Sequence, residues 1–183
     1  MGSAAAKSKR KLAGTTVDRN PEVEVELREF RREDYDTLIH WIDSERLNYQ
    51  WGGPNFDFPL DQNQLEHHCV KPEVLPFIFI SNGEEAGYVE LFKVSDSQYR
   101  ICRVFVSNDF RGQGLAKIML KQLIEKARVE YKAQVLTLAV FERNVVAKGC
   151  YESLGFVVTS RESGTRSFDG ELWDLLLMEK HYN

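Results

Sequence analysis

The sequence is short of several things. Only three of its 183 residues are cysteine (Cys69, Cys102 and Cys150), they are widely spaced, and no CxxC pair occurs. A disulfide scaffold or a thiolate zinc cluster is therefore not expected, and reduced thiols in a cytoplasmic protein are the simplest reading. No run of 18 apolar residues exists, so no transmembrane helix is predicted. The first residues lack the apolar stretch of a secretory signal, and Ala6 stands where a myristoylation pattern requires Ser or Thr. No GxxxxGK[ST] run is present, which removes the P-loop nucleotide binders. Repeats and low-complexity blocks are absent beyond residue 20.

What is present is an ordinary globular balance, with 43% hydrophobic and 28% charged residues. A chain of this length buries a core without metal or disulfide staples. Charge is divided unevenly. Residues 1–20 carry five basic side chains against one acidic, a surplus of +4, so against a total of −4 the rest stands at −8. The first segment reads as a disordered basic leader or an expression remnant, and 21–183 as one domain. An acidic body suits an amine-bearing partner and speaks against nucleic acid; it is equally what solubility alone would ask for.

Periodicity gives the elements. Val23, Val25 and Leu27 alternate with charged residues as in a half-buried strand, and Tyr35, Leu38, Ile39 and Ile42 follow at helical spacing. Residues 48–60 form a turn-rich aromatic loop, and Asp61 caps a short helix ending before Pro72. Strands are expected at 77–80, 87–94 and 99–106, the first two joined by an Asn82-Gly83 hairpin turn. A long helix follows Gly114, then a strand at 135–140, a helix at 144–154 stopped by Gly155, and closing strands at 156–160 and 171–179. The order implies an α+β fold. Its sheet is mixed and mostly antiparallel, with one central parallel βαβ crossover and helices on both faces.

Two segments carry chemistry. In Val104–Ala116 a strand passes through Arg111-Gly112-Gln113-Gly114 into a helix. First-turn N–H groups without partners, glycines without Cβ atoms and an adjacent arginine together make an anion site, suited to phosphate or pyrophosphate. A dinucleotide fingerprint is disfavoured, since Lys117 stands where its third glycine belongs. A glycine turn that merely opens a helix would look similar. In Asn144–Phe156, Asn144, Ala147 and Tyr151 share one helical stripe, with Tyr151 roughly 10 Å beyond Asn144. A tyrosine there can give a proton to a leaving group; by itself the segment reads equally as a cap and a core tyrosine.

Taken together the segments resemble the GNAT N-acetyltransferase superfamily. Its [Q/R]xxGx[G/A] motif is met by Arg111, Gly114 and Ala116, and its downstream pattern by Asn144, Ala147, Tyr151, Gly155 and Phe156. The resemblance spans about residues 22–180, and the Trp51-Gly52-Gly53-Pro54 loop is similar to the branch of ribosomal-protein-alanine and other small-substrate acetyltransferases. It implies acetyl-CoA as co-substrate and no metal. Its pyrophosphate would lie on Arg111, Gly112, Gln113, Gly114, Leu115 and Ala116, and its pantetheine arm along Phe105 and Val106, steadied by Asn144 and Ala147. An amine-bearing small molecule or a protein N-terminus would attack the thioester directly, and Tyr151 would protonate the thiolate. The general base departs from the pattern: Arg100, Cys102 and Arg103 occupy the strand where many members carry glutamate. Glu90 is the substitute, acting through a water, or is merely a solvated strand residue. Trp51 and Phe56 are candidates for an acceptor wall, or pack with Phe58 on the first helices. His67-His68-Cys69 is not expected to bind metal, and Cys150 reads as a structural thiol. A non-catalytic acyl-CoA sensor is the rival function, and a homodimer stays open.

Overall fold

Hairpins build most of the sheet. In the computed structural model, which describes residues 22–183, β1 (Val25–Glu29), β2 (Val74–Ser81), β3 (Glu84–Lys93) and β4 (Gln98–Val106) form a continuous antiparallel run. The β2–β3 turn has positive φ at both central residues, Asn82 (48°) and Gly83 (80°), the pair of angles that matches strand twist in a two-residue hairpin. From β4 the chain crosses through α4 (Leu115–Val129) to β5 (Val135–Phe141), which lies parallel to β4. After α5 (Val145–Ser153) and β6 (Val157–Glu162), a small hairpin of β7 (Ser167–Phe168) and β8 (Glu171–Leu172) precedes β9 (Leu175–His181). The final sheet order is β1-β2-β3-β4-β5-β9-β6, antiparallel throughout except for β4–β5.

Each face has its own core. Met119, Leu120 and Leu123 of α4, Tyr151 of α5 and Leu154 just after it pack on one face against Phe79, Leu91 and Leu138. The other face is covered by α1 (Tyr35–Trp41), α2 (Glu45–Gly52) and α3 (Gln62–Cys69), whose Leu38, Trp51 and Leu65 meet Ile78, Tyr88 and Phe105. The expected α+β architecture is therefore found.

Two element assignments need correcting. Residues 48–52 are helical rather than loop, because Ser44 accepts a hydrogen bond from the Leu47 N–H and starts α2. The closing pair is β6 with β9, not a strand from residue 171, since the glycine-bearing segment folds into the β7–β8 hairpin first. The basic leader lies outside the described residues. Among those described, no helix is long and apolar enough to cross a membrane, and no metal-binding cluster occurs.

Candidate active site

The site begins where two strands part. β4 and β5 pair from Gln98↔Val135 only as far as Ile101↔Leu138. Beyond Ile101, β4 stays with β3 while β5 stays with β9, and the two diverge. The divergence has a local cause. Two residues of β4, Arg103 and Val104, stand opposite one residue of β3, Val89, and Arg103 takes a left-handed φ of 54°. Such a bulge sharpens the twist and shifts side-chain parity by one residue. Ile101 thus faces the α4 core while Phe105 faces the α2 core.

A cavity of about 650 Å³ fills the split. Its lining runs from the bulge (Arg103, Val104) along Phe105 and Val106 to Arg111, Gly112, Gly114, Leu115 and Ala116 at the start of α4. The Ser107 N–H bonds back to the Ala86 carbonyl on β3, so by strand alternation the backbone groups of Val104 and Val106 face the split. That strand edge is free of backbone partners, although the Val106 carbonyl is taken by Arg111, and it can receive amide groups as an added strand would. The mouth is the first turn of a 15-residue helix with no side-chain cap, entered through Gly114 at a φ of 72°. Its free N–H groups and the helix dipole favour an anion there. Arg111 lies beside the mouth, with its guanidinium stacked over Phe105 and its Nε donating to the Val106 carbonyl at 3.1 Å.

The opposite wall comes from β5 and α5. Asn144 caps α5 by accepting the Ala147 N–H at 3.3 Å, and Asn144, Ala147, Cys150 and Tyr151 all line the cavity. Tyr151 is buried between the sheet and Phe156. Its hydroxyl meets no protein partner, yet it is not among the sealed polar atoms and opens onto the cavity. Burial raises its pKa well above that of a free phenol, so it stays protonated and ready to donate.

Most of the expected residues are therefore together. Gln113 is different: it is exposed on the loop and does not line the cavity. Trp51 walls the cavity from α2, where its indole N–H donates to the Arg103 carbonyl at 3.0 Å. Phe56 instead lines a second groove, of about 700 Å³, on the α3 side of β4. Cys150, expected to be a buried structural thiol, is half-buried and lines the cavity.

Glu90 is not a solvated strand residue. It is 1% exposed and touches neither cavity. Oε1 accepts from Arg103 at 3.1 Å and lies 2.7 Å from His68 Nε2, while Oε2 accepts from the Tyr88 hydroxyl at 2.7 Å. Burial alone would lift the Glu90 pKa, but the His68 hydrogen bond and the Arg103 charge outweigh it, and the carboxyl sits below its usual range. Both oxygens are therefore engaged by protein groups. Sequence reasoning missed Arg103 and Lys117 as cavity residues, along with Leu47, Gln50 and Phe141. For Arg103 the signal is a bulge, which no periodicity shows in advance.

The profile of the acetyltransferase (GNAT) family matches residues 26–156, and the chain belongs to that family. It is an acetyl-CoA-dependent N-acetyltransferase that transfers an acetyl group to an amine. The spermine/spermidine N(1)-acetyltransferase of Bacillus subtilis (strain 168) is 36% identical over 136 residues, spanning 63% of this chain and 84% of that protein. The fold is shared with spermidine N-acetyltransferase from Vibrio cholerae, solved with CoA and spermine, at a TM-score of 0.76 and 18% identity over 86% of this chain and 95% of that one. Ribosomal-protein-alanine N-acetyltransferase from Brucella melitensis superposes with a TM-score of 0.69 at 20% identity, covering 85% of this chain and 99% of its own.

Proposed function

We propose that the acceptor is a polyamine, acetylated on a primary amine by direct attack on the thioester of acetyl-CoA. The observation that carries the transfer reading is the free edge of β4 leading from the open Tyr151 hydroxyl to the uncapped mouth of α4. Along this line the N–H groups from Gly112 to Ala116 and the Arg111 guanidinium hold the pyrophosphate. Val104 and Val106 pair with the pantetheine amides, and the Asn144 and Ala147 wall fixes the arm opposite. A neutral amine attacks the carbonyl carbon, the C–N bond forms as the C–S bond breaks, Tyr151 gives its proton to the departing sulfur, and the proton shed by the acylated nitrogen returns through solvent in the open cavity to restore the phenol. Backbone N–H groups at the bulge face the carbonyl oxygen as charge develops on it.

Two things support a polyamine in particular. Curated relatives at 36% identity are named for spermine and spermidine. The chain beyond residue 20 is acidic, which concentrates cations near it, and the groove that shares Arg103 with the coenzyme cavity offers Asp57, Asp61 and Glu73 to an ammonium, against Lys71, Arg100 and Arg103. The Arg103 charge, which would oppose an ammonium, is offset by Glu90. Three unpaired cysteines fit a cytoplasmic location.

The test is acetyl-CoA-dependent thiol release over spermine, spermidine, putrescine, amino acids, aminoglycosides and peptides with free N-termini. Highest kcat/KM on spermine or spermidine is expected. Turnover confined to peptide N-termini would overturn the polyamine reading, and release with no amine at all would overturn amine transfer.

A further inference from the structure

Glu90 is the most enclosed carboxylate on the α2–α3 side of the sheet, and the acid, the anion mouth and the strand edge leave it without a role. Tyr88 of β3, His68 of α3 and Arg103 of β4 bond to it, and the Cys69 and Cys102 thiols lie near enough to feel its charge. Three of them converge on its two oxygens within 3.1 Å. Of these only Arg103 reaches the coenzyme cavity.

Arg103 is also the residue with the unusual backbone. Its left-handed φ of 54° creates the bulge that ends β4–β5 pairing and turns Val104 and Val106 toward the split. A left-handed conformation without glycine persists only where the surroundings hold it. Here three contacts do so: Glu90 on the guanidinium, the Phe56 ring 5.2 Å beneath it, and the Trp51 indole on its carbonyl.

We propose that Glu90 is a positioning residue for acetyl transfer, acting through Arg103 to hold the β4 bulge, with His68 and Tyr88 fixing the carboxylate. The inference rests on the acetyl-transfer reading above. Its physical content is that the reacting carbonyl lies against backbone whose direction the bulge sets. A displacement of about 1 Å there costs up to a hundredfold in rate. Coenzyme affinity loses only what the pantetheine pairing at Val104 and Val106 contributes, since the α4 mouth, which holds the pyrophosphate, is untouched.

The experiment is a double-mutant cycle with Glu90→Gln and Arg103→Ala, followed by kcat, acetyl-CoA Kd and the pH profile of kcat/KM, all well below each variant's Tm. Each single change is expected to lower kcat by about tenfold to a hundredfold, with Kd raised by a clearly smaller factor. The double variant should be no worse than Arg103→Ala alone, because a residue acting through another adds nothing once its partner is gone. The acidic limb of the profile should keep its position in Glu90→Gln, at a lower plateau.

Multiplying losses in the double variant, or loss of the acidic limb, would overturn the inference in favour of a direct base role. Unchanged kcat in folded Glu90→Gln would overturn it outright. If Glu90→Gln does not fold, His68→Gln and Tyr88→Phe should show the same kcat-selective loss in milder form. Hydrogen exchange of the Trp51 indole, donor to the Arg103 carbonyl, reads the lock without turnover and should quicken in each variant. A parent inactive on every amine would fail the acetyl-transfer reading; the indole exchange then decides the lock alone, an unchanged rate overturning it.

Discussion

Replacing Tyr151 by Phe removes one oxygen from the coenzyme cavity and little else. The ring keeps its place between the sheet and Phe156, with centroids 6.2 Å apart. The hydroxyl makes no protein hydrogen bond and opens onto the cavity, so no buried partner is orphaned by its loss. Stability should change by less than about 1 kcal/mol, the scale of a single net hydrogen bond. The anion mouth at Gly112–Ala116 and the Asn144 wall are untouched, so the acetyl-CoA dissociation constant should hardly move. Turnover is another matter. A positioned proton donor contributes roughly a hundredfold or more, which is about 2.7 kcal/mol in the barrier. Burial raises the phenol pKa, so the parent should keep its acid protonated well into the alkaline range and show no loss of kcat near the ordinary tyrosine value. The assay is steady-state thiol release with the best amine, beside a binding titration and a melting curve on the same protein. A folded Tyr151→Phe variant that binds acetyl-CoA normally and turns over at the parent rate would refute the acid role.

Gly114 takes a φ of 72° at the start of α4, where any side chain costs about 1–2 kcal/mol in a left-handed conformation; Gly114→Ala should lower Tm and weaken acetyl-CoA, and Gly114→Asp, which adds an anion at the mouth, should abolish the thermal shift that acetyl-CoA gives the parent. Glu90 and Asp34 both have depressed pKa values. For Asp34, burial pulls upward, but two hydrogen bonds from Arg28 and one from the Arg31 N–H prevail. Their stabilisation is present above the unfolded carboxylate range and is lost as pH falls through the folded values; urea midpoints should drop below about pH 4, and less steeply in Asp34→Asn. Cys69 and Cys102, whose thiols burial pushes up to about 12 and about 11, should alkylate slowly in the native protein. Cys150 should react sooner and be protected by acetyl-CoA, whereas all three should label after denaturation without reductant.

Local chemistry was legible in the order of residues. Asn82-Gly83 announced a hairpin, Asp61 and Asn144 announced helix starts, and each does so through contacts within a few residues. The anion mouth and the Asn144–Ala147–Tyr151 stripe were readable for the same reason: an α-helix fixes the relative placement of its own residues whatever it packs against. Helix α2 was hidden because its residues 48–52 mix aromatics with glycine, and its start at Ser44 is a single weak signal. Glu90 shows the other limit. On strand β3 its neighbours in sequence are Val89 and Leu91, but its partners are His68, Tyr88 and Arg103, drawn from a helix, its own strand and the next one. Whether it meets water or an arginine is decided by strand register and by a bulge that slips that register by one residue. Those are properties of paired strands, absent from any one of them, and so only the assembled sheet could place the carboxylate, open the split beside it and bring Tyr151 to its edge.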